Sequence, residues 1–366
     1  MTEAVRPRRR RSPAQPGDEP RPTTLRDVAA HAGVSVATVS RVLAENYPVA
    51  PATRKRVLRS VNELNFVANT HARALRGMVT RTVAFVLNDV RGQSFAAAAQ
   101  GAEEEAAQSG RLCLICTTQG DPAREMGVIR LMREQGAEAV ILIGGAVQDE
   151  AYYARMTEVA QALDAVGSRL VFCGRPPLGP DLPLTVVEYD NEGGAYAVTS
   201  QLLANGHRKI VMLGGDPRHS TTAGRRDGYR RALADFGVEP YREPGQPDEF
   251  SRAAGYRRTR ELLDSGVEFT AIFACTDVVA AGALAALADA GKRVPEDVSV
   301  VGYDDIDLAS DLRPQLTTVH VPYEELGRTA VRLALRRRRP DAERGDQHVM
   351  LGTHVVVRKS VARIAP

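Results

Sequence analysis

Hydrophobic residues near the N-terminus recur at intervals of three and four residues, the spacing of one helix face. The first helix shows this spacing at four positions: Leu25, Val28, Ala29 and Ala32. Gly33 then supplies the backbone freedom that a sharp turn requires, and Ser35 is a suitable N-cap for a second helix. That second helix would bury three apolar residues: Val39, Val42 and Leu43. The pattern therefore predicts two short helices joined by a tight turn over residues 24–43.

The opposite face of the second helix has a different character. It carries small side chains and one arginine: Val36, Ala37, Ser40 and Arg41. Such a face can enter a DNA major groove, where the Arg41 guanidinium can reach a guanine edge. A third helical run from Pro51 to Leu64 completes a three-helix headpiece.

From residue 81 onward, short apolar runs alternate with helical stretches. Seven runs have the length and composition of strands: TVAFVLN, RLCLICT, AVILIGG, RLVFCG, KIVMLGG, AIFACTD and VSVVGYDD. Continuous apolar strands separated by helices are typical of parallel sheets that helices cover on both faces. This part of the chain is therefore predicted to be an α/β core.

Composition adds a basic N-terminal arm to this picture. The 366-residue chain has 43% hydrophobic residues, 25% charged residues and a net charge of only +3. Residues 1–22 nevertheless combine five closely spaced arginines with several prolines, so they are predicted to be disordered. This arm could follow DNA phosphates or be a solvated tail, and the sequence favours neither.

Membrane, metal and redox chemistry are not indicated. We find no apolar membrane-spanning segment and no signal peptide, so we expect a cytoplasmic, nucleoid-associated protein. Cys113 and Cys116 form a C-x-x-C, but within a strand they point to opposite faces. Together with Cys173 and Cys275, they are predicted to be reduced core thiols.

Catalytic signatures are missing from the sequence as well. It contains neither a phosphate-binding glycine loop followed by Lys-Ser or Lys-Thr nor a G-x-S-x-G motif, and its seven histidines lack metal-ligand spacing. We therefore predict no catalytic residue, metal or cofactor. Three alternatives are less favoured: an enzyme with a DNA-binding head, a transport-type binding protein and an architectural DNA-binding protein.

Several segments resemble the lactose/galactose repressor family of bacterial helix-turn-helix transcriptional regulators. The resemblance covers residues 23–360 and is carried by segments such as GVSVATVSRVL, EYDNEGGAYAV, NGHRKIVMLGG and RVPEDVSVVGYDD. It implies a small all-α helix-turn-helix headpiece and an α/β periplasmic-binding-protein-like core of two doubly wound parallel-sheet subdomains.

The resemblance also implies domain boundaries. The arm spans residues 1–22, the headpiece 23–68, the hinge helix and linker 69–80, and the core 81–366. Within the core, the N-subdomain takes about 81–185 and 316–343, and the C-subdomain about 186–315 and 344–366. Because only a few residues follow the last strand, no tetramer-forming helix is expected, and a homodimer is favoured.

The segment Asn69 to Gly77 resembles the hinge of this family, which implies that it becomes helical on DNA, with Leu75 wedged between base pairs in the minor groove. Leu75 could instead pack within the linker. Ala68 departs from the proline that is usual in the family, so the hinge should be less rigid at its start.

The helix pattern and the family resemblance together predict nine residues that contact DNA. Four residues are predicted to contact bases: Val36, Ala37, Arg41 and Leu75. Five are predicted to contact the DNA backbone: Thr24, Ser35, Thr38, Ser40 and Asn69. The partner is double-stranded operator DNA, and its palindrome would mirror the symmetry of the dimer.

Two residues match the family's effector site. Arg225 corresponds to the arginine aimed into the interdomain cleft, and Asp304 to the acid that accepts hydrogen bonds from ligand hydroxyls. A guanidinium and a carboxylate suit a polyhydroxylated ligand. Arg225 could alternatively be a surface residue paired with Asp227, and Asp304 a helix-capping acid.

Elsewhere the effector site departs from the family pattern. Ser94 replaces a phenylalanine that often stacks on the ligand, and Gly174, followed by Arg175, replaces an aspartate. Four further residues are predicted to line the site: Gln93, Phe95, Arg175 and Thr276. A sugar or sugar derivative is the first expectation for the effector. A purine base is second, weakened by the missing ring platform, and a pocket without a ligand is third.

Overall fold

The computed structural model describes residues 23–44, 47–64, 66, 80–179, 181–240, 249–336 and 348–364. The described residues fall into two compact units, one on each side of the boundary between residues 72 and 73, and these are named the headpiece and the core below.

The headpiece contains three helices: α1 Leu25–Ala32, α2 Val36–Ala44 and α3 Pro51–Glu63. Thr24 and Asp27 form a reciprocal capping box at the start of α1, and Gly33 ends the helix in the left-handed conformation at φ 62°. The Ser35 hydroxyl accepts a hydrogen bond from the Thr38 amide at 3.1 Å, so it caps α2. The predicted helix, turn and second helix are therefore confirmed.

One small apolar cluster holds the three headpiece helices together. It consists of six buried side chains: Val28, Ala29, Ala32, Val39, Val42 and Val57. Leu43 and Leu64 pack against it while remaining half-buried. The apolar faces predicted for the helices thus meet in the interior, which leaves the other face of α2 exposed.

The described core has nine helices and eleven strands. The helices are α4 Gln93–Gln108, α5 Pro122–Glu134, α6 Glu150–Asp164, α7 Asn191–Ala204, α8 Ser220–Asp235, α9 Arg252–Asp264, α10 Asp277–Asp289, α11 Asp307–Asp311 and α12 Tyr323–Leu335. The strands are β1 Thr82–Leu87, β2 Leu112–Thr117, β3 Ala139–Ile143, β4 Arg169–Cys173, β5 Leu184–Tyr189, β6 Ile210–Leu213, β7 Ala271–Ala274, β8 Ser299–Val301, β9 Thr318–His320, β10 His348–Leu351 and β11 His354–Val356.

Two parallel sheets divide the core into two lobes. The first lobe is built on a six-stranded sheet in the order β2-β1-β3-β4-β5-β10. The second lobe contains a three-stranded parallel sheet, β6-β7-β8, and the antiparallel pair β9 and β11. Single bridges from Val301 to Thr317 and from Asp304 to His320 connect β8 and the segment after it with β9. The predicted two-lobed α/β core is confirmed.

Helices cover the first sheet on both faces. Alternate residues of β1 and β3 pack against α4 and α12 on one face and against α5 and α6 on the other. The helices α4 and α12 cross at very close range, because a Cβ at Gly101 would collide with the Glu324 carbonyl and one at Gly327 with the Ala98 carbonyl. The carboxyl ends of the strands remain open between the helices, where α/β folds place their ligands.

The crossovers between the lobes lie a few residues later than the sequence analysis predicted. The strands β5 and β10 pair in parallel within the first sheet, with His348 opposite Val186. The chain therefore leaves the first lobe after Tyr189 and after Leu351, and it re-enters this lobe after β9. The difference arises because the crossover segments are themselves strands, whose partners are distant in sequence.

The cysteines differ in their burial. Cys173 and Cys275 are buried free thiols, as predicted, whereas Cys113 and Cys116 are only half-buried. The reason is that β2 forms an edge of its sheet. Burial nevertheless raises the pKa of the Cys113 thiol to about 12, so this thiol is protonated at neutral pH.

Two further observations bear on function. No helix in the described part of the chain is long and apolar enough to cross a membrane. Among the same residues, no group of three His, Cys, Asp or Glu side chains is placed to hold a metal ion.

Candidate functional site

The exposed face of α2 is the first candidate site. Val36 is 41% exposed, and Ala37 and Arg41 are also exposed. The Arg41 guanidinium carbon lies 5.6 Å from the centre of the Tyr47 ring, close enough for a cation–π contact. This tyrosine was not predicted, because it lies in the loop beyond the helix rather than in the helical pattern. The face therefore presents small side chains beside one positioned cation.

Hydroxyl groups cluster at the helix N-termini of the headpiece. Thr24 and Ser35 are exposed, and each caps a helix. The Thr38 hydroxyl lies 2.9 Å from that of Ser35, and Ser40 is half-buried. Helix N-termini attract anions, since their free N–H groups carry partial positive charge. The arrangement is consistent with phosphate contacts at these four residues, which remain predictions.

Helix α3 adds positive charge to the headpiece surface. Four basic side chains on it are exposed: Arg54, Lys55, Arg56 and Arg59. The two remaining predicted DNA contacts, Asn69 and Leu75, lie outside the described residues, as does Ala68.

The second candidate site is a cavity of about 270 Å³ at the carboxyl ends of the strands, between the two lobes of the core. Five of the six predicted effector residues line it: Gln93, Phe95, Arg225, Thr276 and Asp304. They come from four separate segments of the chain. Arg175, the sixth, lines a neighbouring cavity instead.

Arg225 and Asp304 form a buried ion pair at the base of this cavity. Arg225 is 1% exposed, and its Nη2 donates to Asp304 Oδ1 at 3.0 Å. The guanidinium also donates to Asn191 Oδ1 at 3.0 Å and to the Cys275 carbonyl, and it stacks on the Tyr303 ring at 3.7 Å. The alternatives of a surface Arg225 paired with Asp227 and of Asp304 as a helix cap are therefore wrong.

Burial and charge act in opposite directions on this pair. Burial raises the pKa of the Asp304 carboxyl above its usual value, and the charge of Arg225 and the hydrogen bonds from Tyr323 and Arg225 offset only part of that rise. For Arg225, burial disfavours the charge, but Asp304 and nearby tyrosines still leave the pKa above its ordinary value. The guanidinium stays charged, and it holds the carboxylate within the cavity.

Two tyrosines that the sequence analysis missed connect the first lobe to this pair. The Tyr323 hydroxyl donates to Asp304 Oδ1 at 2.8 Å, and the Tyr189 hydroxyl lies 3.4 Å from Arg225 Nη2. The two rings meet edge to face with their centres 5.7 Å apart. Tyr189 ends β5, so a rule that selects polar residues at strand ends could have identified it, whereas Tyr323 begins α12. Arg225 and Tyr323 therefore both donate to the same oxygen of Asp304, Oδ1.

Aromatic rings line the cavity despite the serine at position 94. They are supplied by Phe95, Tyr189, Phe250 and Tyr323. The expectation that the site lacks a ring platform is therefore wrong, because Phe95 is joined by three rings from segments distant from residue 94. A planar or ring-shaped ligand has surfaces to stack against.

Thr276 and Asp277 stabilise the backbone beside the cavity. The Thr276 hydroxyl caps α10 by accepting from the Val279 amide at 3.2 Å. Asp277 is fully buried and accepts from the Thr318 hydroxyl at 2.5 Å and the Ile306 amide at 3.0 Å. Burial and the neighbouring Asp304 raise the pKa of Asp277 well above its usual value. These bonds fix the loop that carries Asp304.

The two lobes also touch across the mouth of the cavity. The Ser220 amide donates to the Ala146 carbonyl at 3.0 Å, and the Ala146 amide donates to the Ser220 hydroxyl at 3.2 Å. Val147 and His219 form an antiparallel bridge at the same place. Separating the lobes would require breaking these bonds, so they can report whether the cavity is open or closed.

Comparison with known families matches both units of the chain. Residues 24–69 match the family of bacterial regulatory proteins of the lacI type, and residues 199–361 match a periplasmic binding protein-like domain. The transcriptional regulator GalS of Salmonella typhimurium is 36% identical over 315 residues, which cover 85% of this chain and 89% of GalS.

Solved structures give the same result. The complex of the transcriptional regulator CelR with cellobiose is 32% identical, with a TM-score of 0.65, and the match covers 92% of this chain and 99% of CelR. The lac repressor dimer bound to operator and an anti-inducer is 25% identical, with a TM-score of 0.75, and the match covers 93% of this chain and all of that one. These relatives are regulators, which confirms the regulatory prediction over the enzymatic alternative.

Proposed function

Because the chain belongs to the LacI family of bacterial regulatory proteins, we propose that this DNA-binding regulator is an effector-controlled repressor. It binds a palindromic operator as a homodimer in the cytoplasm. A sugar or sugar derivative in the cavity between the lobes controls its affinity for DNA. The observation that carries the proposal is the buried Arg225–Asp304 pair, which lines a cavity between the lobes in a chain that also has an exposed recognition face on α2.

The headpiece supports sequence-selective binding. Arg41 is exposed on α2 and can donate two hydrogen bonds to a guanine edge, while Val36 and Ala37 can contact a thymine methyl. The capping hydroxyls of Thr24 and Ser35 would set the register through phosphate contacts. Asn69 and Leu75 complete the proposed contacts from the hinge.

The edge of the first sheet supports a homodimer. Strand β2 lies at this edge, where Leu112 is 60% exposed and Ile115 is 40% exposed. Leu131 on α5 is 48% exposed. Apolar side chains at an unpaired sheet edge are a favourable surface for a symmetric partner. A two-fold dimer would in turn present two α2 helices to two half-sites.

The chemistry of the cavity supports a polyhydroxylated ring as effector. Asp304 Oδ1 is engaged by Arg225 and Tyr323, which leaves Oδ2 to accept from ligand hydroxyls. Gln93 offers an amide, and aromatic rings can pack on the apolar face of a sugar. CelR, a relative, was solved with cellobiose. The same rings also suit a purine base, which is the second candidate.

Control would operate through the lobes. A ligand that bridges Asp304 in the second lobe and Gln93 in the first would favour the closed arrangement held by Ala146 and Ser220. The ligand binds the open and closed states with different affinities. The ratio of these two affinities limits how far ligand binding can change the affinity for DNA.

The test is selection of bound genomic DNA fragments by the purified full-length protein, repeated with a panel of sugars and purines. We expect a palindromic motif whose recovery changes with one compound. A palindrome that no compound affects would contradict the effector part of the proposal. Binding without any motif, with only a strong dependence on salt, would identify an architectural DNA-binding protein instead.

A further inference from the structure

A second cavity of about 280 Å³ adjoins the first at the carboxyl end of the six-stranded sheet. The first chamber lies on the face covered by α4 and α12, and the second on the face covered by α5 and α6. Asn88, Gly145 and His219 line both chambers. The two spaces therefore meet over the tips of β1 and β3.

The second chamber contains a built polar site. The Arg175 guanidinium donates to Glu125 Oε2 at 2.6 Å and to Oε1 at 3.3 Å, and its Nε donates to the Gly144 carbonyl at 2.8 Å. The two side chains are 5% and 15% exposed. Three of the five guanidinium N–H groups are used in this way, and the two others can donate to a ligand or to the neighbouring Tyr152 hydroxyl.

Tyr152 places a buried hydroxyl next to Arg175 in this site. It is 4% exposed and lines the second chamber from α6. Arg175 is both an electrostatic and a hydrogen-bonding neighbour of this hydroxyl, although no bond of good geometry joins the two groups. A hydroxyl on a bound molecule would form the well-aligned hydrogen bond that Tyr152 and Arg175 do not form with each other.

His219 stands where the chambers meet. Its Nδ1 is buried and has no hydrogen-bond partner in the described part of the chain. Burial lowers the pKa of this imidazole, and the nearby charges of Arg175 and Arg225 lower it further, so the ring is neutral at pH 7. A neutral imidazole has one donor and one acceptor nitrogen, so it can form hydrogen bonds with a ligand that extends from one chamber into the other.

We infer that the effector has two linked rings, as a disaccharide does, and that it spans both chambers. One ring occupies the first chamber against Asp304 and the aromatic side chains, and the other lies against Arg175, Glu125 and Tyr152. Each chamber alone falls slightly below the usual range of ligand pockets, about 300–1,000 Å³, which suits one ring better than two. This inference rests on the proposed function and names the size and class of its effector.

The test is calorimetric titration of the full-length protein with matched sugars. Glucose is compared with cellobiose and maltose, and galactose with lactose and melibiose. At least one disaccharide should bind about tenfold more tightly than its component monosaccharides. Equal affinities for disaccharides and monosaccharides, or the absence of sugar binding, would overturn the inference.

Substitutions in the second chamber test whether it is the source of the preference for disaccharides. Glu125→Gln and the more conservative Tyr152→Phe should each reduce the disaccharide advantage and leave monosaccharide affinity unchanged. Glu138→Gln is the matched control, because Glu138 pairs with Arg111 at 3.1 Å at the amino end of the same sheet. If either chamber variant weakens mono- and disaccharides equally, the second chamber does not hold a ring.

Operator binding separates this inference from the proposed function. A palindrome-specific protein that responds to monosaccharides but prefers no disaccharide would keep its proposed function and lose only the two-ring effector. Conversely, loss of operator specificity would remove the proposed function, while the sugar titrations would still decide the two-chamber inference.

Discussion

The α2 face of the headpiece and the Arg225 cavity of the core use polar groups in opposite ways. On α2, Arg41 is exposed, and the capping hydroxyls around it come from one short segment, residues 24–41. In the cavity, Arg225 is buried and Asp304 lies 79 residues away in sequence. A surface group can be changed without unfolding its helix, whereas a buried pair supports the fold as well as the ligand. Changes at the two regions should therefore separate binding from stability.

The largest effect is expected at the buried pair. Arg225→Met leaves the Asp304 carboxylate without its cation, which should lower the free energy of unfolding of the core by about 3–5 kcal/mol. Urea unfolding measures this change. Arg231→Met is the matched control on the same helix, since Arg231 pairs with Glu192 at the surface and should cost less than about 1 kcal/mol. Equal losses for the two variants would contradict the contrast drawn between buried and exposed groups.

A smaller effect, confined to DNA, is expected at Arg41. Arg41→Ala should weaken operator binding by about 1–3 kcal/mol and relax selectivity at one base position, without changing the unfolding curve. Fluorescence anisotropy with operator variants measures both quantities. Arg133→Ala removes an exposed arginine from the core and serves as the charge control. If selectivity survives in the Arg41 variant, the proposed base contact is wrong.

The helix cap should give a modest change in local stability. Thr24→Ala removes the hydroxyl that accepts from the Asp27 amide, which should destabilise α1 by about 0.5–2 kcal/mol. Amide hydrogen exchange over residues 25–32 reports this change, and Thr24→Ser should preserve the cap. Unchanged protection in the alanine variant would show that the capping box contributes no stability to α1.

The smallest expected effect is on the pH dependence of the stability of the core. His207 is buried, with Nδ1 3.0 Å from the Thr270 hydroxyl and Nε2 3.1 Å from the Ala362 carbonyl, and burial lowers its pKa. The unfolded chain therefore binds a proton near pH 6.5 that the folded chain does not bind. Stability should fall as the pH decreases from 7 through this range. His207→Gln should reduce that slope in urea titrations, and an unchanged slope would assign the dependence to other groups.

Much of the headpiece could be predicted because its determinants are local. The turn at Gly33, the cap at Ser35 and the buried face around Val39 all depend on neighbours within a few residues. Tyr47 could not be predicted in the same way. Its contact with Arg41 depends on the path of the loop after α2, which no periodic pattern specifies.

The core was predictable as alternating strands and helices, but the site within it only in part. Arg225 and Asp304 were identified through the family resemblance, whereas Tyr323 and His219 reach the cavity through contacts that link distant segments. Arg175 lines the neighbouring cavity rather than the first one, because Glu125, 50 residues earlier, holds its guanidinium on the other face of the sheet. Long-range pairing of β10 with β5 likewise displaced the predicted crossovers.

The central claim is that the two regions are energetically coupled, and its most direct test is reciprocity. The sugar affinity of the full-length protein is measured with and without saturating operator, and operator affinity is measured with and without saturating sugar. Coupling requires both affinities to change by the same factor, in the range of about 5–150-fold. If the sugar binds equally well in the presence and absence of operator, the cavity does not control DNA binding and the account fails.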